Sequence, residues 1–185
     1  MPTRRAVAFL LASLTSRPAV AQADLFARLR DGGLLVLLRH ARTEPGIGDP
    51  PGFRLEDCST QRNLDAAGRE QARAIGARLR AEGVPVGRVL TSRWCRCRET
   101  AELLGVGPVE PFPGLDSFFA ERGREREQTA AARAFADAWR GPGNAFMVTH
   151  QVNVTALTGV FPASGEAVVA TPALEVLGRL PPPAG

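Results

Sequence analysis

Leu34-Leu35-Val36-Leu37-Leu38-Arg39-His40 is an unbroken apolar run that ends in a cation and an imidazole. A run without polar alternation, bounded by turn residues (Gly32-Gly33 before it), reads as a strand buried on both faces of a parallel sheet. The pattern recurs at Ala145-Phe146-Met147-Val148-Thr149-His150, and His40 and His150 are the only histidines in the chain. A third run, Val86-Gly87-Arg88-Val89-Leu90-Thr91-Ser92, leads directly into Arg93, Arg96 and Arg98. In open α/β sheets, ligands bind just outside the carboxyl ends of the strands. Three such ends carrying two imidazoles and several guanidiniums make an anion site with a nucleophile in it.

Working outward, helical patterns alternate with these strands. Asp24 is positioned to cap a short helix over 25–30, and Gly32-Gly33 ends it. Residues 44–62 form a loop rich in proline and glycine, long enough to imply a function. A strong amphipathic helix is predicted over 66–81, with Ala72, Ile75 and Leu79 on one face. Further helices are predicted over 94–104, 122–140 and 153–158, a short strand over 109–112, and a closing edge pair over 166–171 and 174–180. This alternation predicts an α/β fold: a three-layer α/β/α sandwich on a mostly parallel sheet.

With 185 residues, one domain is the natural count. All 23 basic residues are arginine, and there is no lysine. Lysine Schiff bases and the P-loop lysine are therefore excluded. Residues 1–23 have the order of an export signal: Arg4-Arg5, an apolar stretch from Ala6 to Leu14, then cleavage motifs ending at Ala21 or Ala23. The domain itself is then expected over 24–180, with a frayed tail over 181–185. Cleavage would remove Arg4, Arg5 and Arg17, lowering the formal charge from +4 to +1. Nucleic acid is not an expected partner at that charge, and no later stretch has the length and apolarity of a membrane helix. The expected location is periplasmic or secreted.

Three segments together resemble the histidine phosphatase superfamily, the phosphoglycerate-mutase-like enzymes. Leu38-Arg39-His40-Ala41-Arg42-Thr43 resembles the Arg-His-Gly-x-Thr signature. Ser92 to Ala101, with Arg96 and Thr100 at four-residue steps, resembles the Ser-x-x-x-Arg-x-x-x-Thr-Ala helix start. Val148-Thr149-His150 resembles the second-histidine strand, with Thr149 where glycine is common. The resemblance spans nearly all of residues 34–160. It implies a phosphoglycerate-mutase-like fold and phosphoryl transfer through a phosphohistidine, with no cofactor and no metal. His40 would be the nucleophile, and Arg39, Arg96 and His150 would hold the non-bridging oxygens. The chemistry suits these residue types: neutral imidazole is nucleophilic near pH 7, and guanidinium matches phosphate geometry.

The resemblance also implies a carboxyl after the third strand as proton donor. Asp116 is the candidate, with Glu110 and Glu121 as alternatives. Arg42 and Thr43 in the nucleophile's loop, and Arg62 and Asn63 before Leu64, are candidate substrate contacts, although loop anchoring explains Arg62 and Asn63 equally well. Arg93 and Arg98 are expected in ion pairs or on the surface. Cys95-x-Cys97 has no second pair to complete a zinc site. Cys97, at a position where the family usually has a small buried residue, is expected as a packed thiol. Cys58 and Cys95 are expected to form a disulfide closing about 38 residues, which chain-entropy models value at roughly 3–4 kcal/mol. The resulting expectation is an exported phosphomonoesterase for a small or envelope-associated phosphorylated substrate; an open, shallow site would favour small or exposed phosphate groups, including those on glycans. The alternatives are a phosphomutase of the same fold and a non-catalytic phosphate- or phosphosugar-binding protein.

Overall fold

The computed structural model describes residues 17–183. Six strands, β1 (Leu35–Arg39), β2 (Val86–Thr91), β3 (Val109–Pro111), β4 (Asn144–Thr149), β5 (Ala167–Ala170) and β6 (Val176–Leu180), form one sheet in the order β3-β2-β4-β1-β5-β6. The first four are parallel, and β5 and β6 close the sheet as an antiparallel hairpin against β1. Side chains on a strand alternate between faces, and the core follows that alternation. Val36 and Leu38 pack with α1 (Arg17–Asp31), α2 (Ala66–Ala81) and α3 (Cys95–Leu104). Leu35 and Leu37 pack on the other face with α4 (Glu125–Ala138) and α5 (Gln151–Thr158). The three-layer α/β/α sandwich predicted from the sequence is the observed architecture.

The helix predicted over 66–81 is α2, capped by Asp65, whose carboxylate accepts from the Gly68 amide at 2.6 Å. Its buried stripe Gly68, Ala72, Gly76 explains the small residues. A Cβ at Gly68 would lie 1.8 Å from the Arg42 carbonyl oxygen, so only glycine lets α2 lie against the loop that follows His40.

One helix start differs from expectation. Asp24 lies inside α1 instead of capping it. Pro18 does not prevent this, because proline is accepted in a first helical turn, where its missing N–H has no partner to lose. Most of the candidate export signal, residues 1–16, lies outside the described residues, as do residues 184 and 185 of the tail. Pro181 and Pro183 lie along a small apolar cavity with Phe26 and Leu180. No helix of the described residues is long and apolar enough to cross a membrane.

Candidate active site

Parallel pairing of β1 with β4 sets Arg39 opposite Thr149. The His40 amide donates to the Thr149 carbonyl at 2.9 Å, so both histidines leave the sheet side by side, their ring centroids 5.5 Å apart. His40 Nδ1 lies 2.8 Å from the Ala41 carbonyl oxygen. A carbonyl only accepts, so Nδ1 carries the proton and Nε2 keeps a free lone pair. Burial, then the nearby Arg96 charge, pushes the His40 pKa down to about 3. The imidazole is therefore neutral, as a nucleophile must be. Its loop is fixed from α3, where Thr100 Oγ1 accepts from the Ala41 amide at 3.0 Å.

Arg96 stands in the first turn of α3 and is buried. Its two terminal nitrogens grip Asp49 of the 44–62 loop at 2.7 and 3.2 Å. Asp49 also accepts from Trp94 Nε1 and from the Arg62 amide, both at 3.0 Å. Burial alone would raise the Asp49 pKa, but the hydrogen bonds and charge of Arg96 hold it below the usual carboxylate range. Arg39 NH1 donates to the Pro162 carbonyl at 2.9 Å. The Nε atoms of both Arg39 and Arg96 are buried with no acceptor. A buried unpaired donor costs about 1–3 kcal/mol, more when charged. Burial, with Arg62 and Arg96 close by, lowers the Arg39 pKa. Three guanidiniums thus face one carboxylate at the floor, an excess of positive charge that suits a dianion.

His150 is held differently. Arg96 NH2 approaches Nδ1 at 3.4 Å and can only donate, so Nε2 carries the proton toward Ser92 Oγ at 2.9 Å. The Ser92 hydroxyl in turn donates to Asp116 Oδ1 at 3.3 Å. Burial and then Arg96 hold the His150 pKa well below its usual value. Thr149, at the position where the family commonly has glycine, uses its hydroxyl to donate to the Leu115 carbonyl at 2.6 Å. Cys97 packs beneath, 3.4 Å from His150 Nε2, and burial pushes its thiol pKa up to about 12.

Several candidates stand elsewhere. Asp116 is fully buried and does not line the cavity. Arg93 takes it from the backbone amide at 2.8 Å and from Nε at 2.7 Å. The Asp116 carboxylate anchors Ser92 and Arg93, and the carboxylates that line the cavity are Asp49 and Glu121 instead. Glu110 pairs with Arg88 on the edge of the sheet. Glu121 does line the cavity. Arg62 lines it too and staples the loop, donating from Nε to the Gly48 carbonyl at 2.8 Å and from NH1 to Thr43 Oγ1. Thr43 therefore holds Arg62 and is not a cavity residue. Arg42 points to Asp65 at 2.7 Å, and Asn63 donates to the Cys58 carbonyl at 2.6 Å; neither lines the cavity. Arg98 lies on the surface near Glu102 at 3.8 Å.

A disulfide joins Cys58 to Cys95, tying the 44–62 loop to the start of α3, while Cys97 is a free buried thiol. Gln61 reinforces the seam, its side-chain oxygen accepting from the Cys95 amide at 3.0 Å. The loop, the segment after β3 and the turn after α5 wall a cavity of about 470 Å3 over His40, Arg39, Arg96 and His150. The site is a recess open to solvent at its mouth. Sequence reasoning missed Asp49, whose only signal was membership of a long loop, and the aromatic walls Phe53, Trp94 and Phe161. Among the described residues, no group of three or more His, Cys, Asp or Glu is placed to hold a metal ion.

Comparison with curated proteins gives no match. Among solved structures, the protein histidine phosphatase SixA complexed with tungstate superimposes with a TM-score of 0.56 at 17% identity, covering 80% of this chain and 96% of that one. Phosphoglycerate mutase from Thermus thermophilus superimposes with a TM-score of 0.55 at 21% identity, covering 80% and 98%. These likenesses show the phosphoglycerate-mutase-like fold. Residues 35–158 match the histidine phosphatase superfamily (branch 1), and the chain belongs to that superfamily.

Proposed function

We propose that this member of the superfamily is a phosphomonoesterase working through a phosphohistidine on His40. The observation that carries this reading is a neutral imidazole with a free Nε2, set among buried guanidiniums of which two have an Nε–H without an acceptor. Phosphoryl transfer is mostly positioning and charge stabilisation. The phosphate binds against Arg39 and Arg96, while Asp49 grips Arg96 by its terminal nitrogens and leaves Nε for the anion. As the phosphate draws Arg96 NH2 away from His150 Nδ1, the freed nitrogen takes up a proton from solvent and donates it to a non-bridging oxygen, while Nε2–H stays on Ser92. His40 Nε2 attacks phosphorus and the ester P–O bond breaks. Ala41 O holds the Nδ1 proton of the resulting phosphoimidazolium. Glu121, which lines the cavity and has no ion-pair partner among the described residues, protonates the leaving alkoxide. In the second half its carboxylate takes a proton from water, which attacks phosphorus, releasing inorganic phosphate and neutral His40.

The chain acts outside the cytoplasm in this reading. The signal-like order of residues 1–23 and the Cys58–Cys95 disulfide support export, since such bridges persist in oxidising compartments. SixA is named a protein histidine phosphatase and is complexed with tungstate, an oxyanion, which supports an oxyanion-binding phosphatase reading here.

The test is acid-quench trapping with a labelled aryl phosphate. The expected product is an acid-labile phosphoryl group on His40, followed by release of inorganic phosphate at a rate unchanged by exhaustive chelation. A binding protein would retain no covalent phosphate, and a mutase would pass it to a second hydroxyl in preference to water. Activity lost on chelation and restored by zinc or magnesium would overturn the mechanism.

A further inference from the structure

Among the described residues, four large hydrophobic side chains are exposed: Ile47 (89%), Phe161 (66%), Phe119 (44%) and Val176 (41%). Single exposed hydrophobics need no explanation, but a contiguous set does. The first three all line the cavity above His40. They come from three separate segments: the 44–62 loop, the stretch after β3, and the turn after α5. No local sequence pattern brings them together; the fold does.

Two of the three segments meet across the mouth. Ile47 stands at the tip of a turn between Gly46 and Gly48, whose φ values of 136° and 72° suit only glycine. A Cβ on Gly48 would lie 3.5 Å from the Phe119 ring, so the loop touches the Phe119 segment across the mouth. The Arg122 guanidinium lies 5.7 Å from the centre of the same ring. Deeper in, Phe53 and Trp94 pack ring to ring at 5.7 Å and form the inner wall. Above the charged floor, the polar side chains of the lining are Ser117, Glu121 and Gln151 only. A sugar, with a hydroxyl on nearly every carbon, would leave most of its groups without partners against such walls.

We infer that the cavity accepts phosphomonoesters of long-chain aliphatic alcohols, with phosphate on the arginine floor and the chain along the apolar wall. This rests on the phosphomonoesterase reading and narrows its substrate to one class. His40 is only 3% exposed, so the reacting ester must reach past the aromatic wall to the floor. A slender alkyl chain does so past few polar side chains, whereas the surface of a phosphoprotein brings many polar groups of its own to desolvate. The cavity has the volume for phosphate plus a drug-sized apolar body.

The experiment compares kcat/KM for ethyl, butyl, hexyl and octyl phosphate, each below its micelle concentration, with a hexose phosphate and a phosphohistidine-bearing protein. A fully buried methylene contributes about fourfold and a half-buried one about twofold. From ethyl to octyl the expected gain is on the order of fiftyfold, with the hexose phosphate near or below ethyl. The variant Ile47→Ser with Phe161→Ser changes two exposed side chains, so its fold is safe, and the octyl-to-ethyl ratio should collapse several-fold. A flat chain-length series, an unchanged ratio in the variant, or a phosphoprotein preferred over octyl phosphate would each overturn the inference. Calorimetric binding of ethyl and octyl phosphonate separates it from the parent reading. Much tighter octyl binding without turnover of any ester would leave the inference standing and sink the phosphatase. Turnover with equal phosphonate affinities would do the reverse.

Discussion

His40 and His150 end neighbouring parallel strands, are equally buried, and lie ring against ring, yet their partners are opposite. His40 commits one nitrogen to the carbonyl of the next residue and leaves the other free. His150 has both nitrogens engaged, one by Arg96 and one by Ser92. The same residue type in the same fold position is thus made a nucleophile at one strand end and a fixed hydrogen-bonding group at the other. What separates them is the first residue that follows: a loop turning back at Ala41, against a helix starting at Gln151.

The sharpest test of this contrast is removal of each imidazole. His40→Ala should abolish turnover, because no other side chain at the floor offers a free lone pair, and acid quench should trap nothing. His150→Ala should retain a measurable rate. If His150→Ala is the silent variant and His40→Ala the active one, the roles are reversed. Next in size is Arg96→Ala, expected to lower kcat/KM by on the order of a hundredfold, as loss of one charge-stabilising donor typically does. Arg93→Ala should cost far less, since Arg93 serves Asp116 and not the cavity. The opposite ranking would mean that the helix register assigned to the site is wrong.

A smaller effect probes the line that holds His150. Ser92→Ala removes the acceptor of its Nε2 proton and the link to Asp116. The expected loss is about tenfold, mostly in kcat, with Ser92→Thr partly restoring it. Equal sensitivity of His40 phosphorylation and dephosphorylation would fit a positioning role. Glu121→Gln should behave otherwise: alkyl phosphates, which need a proton on the leaving oxygen, should lose far more than aryl phosphates. A uniform loss across leaving groups would remove Glu121 from the acid role.

The floor of the site was legible in the sequence because strand ends are fixed by periodicity. Strand-like runs stop at Arg39-His40, Ser92 and Thr149-His150, and the resemblance, with its four-residue steps, places Arg96 and Thr100 on one helix face. The walls were not legible, because they are contacts between loops with no period. Asp49 meets Arg96 from 47 positions away. Asp116 has a partner of the same kind: its candidacy as the acid came from the resemblance, and Arg93, 23 residues earlier, holds its carboxylate. The Cys58–Cys95 pair was readable because the resemblance implies a small buried residue at Cys97, which leaves Cys95 to face the loop.

The smallest predicted effect is one in which the two histidines should behave alike. Burial and the Arg96 charge lower both pKa values, His40 to about 3 and His150 also well below its usual 6.5. An unfolded chain takes up a proton on each imidazole as pH falls through about 6.5, and the folded chain does not. Below that value the unfolded state binds more protons, so stability is full above about pH 6.5 and declines as pH falls toward the folded pKa. Histidine is the side chain whose ordinary titration range falls between pH 7 and 5, which isolates the two imidazoles. The melting temperature should drop by on the order of 5–10 °C over that interval. His40→Gln and His150→Gln should each remove about half of the slope, whatever they do to activity. A melting temperature that is flat from pH 7 to 5 would show that both imidazoles are charged in the folded protein, and a slope removed by only one of the two substitutions would show that the other is, which breaks the symmetry argued here.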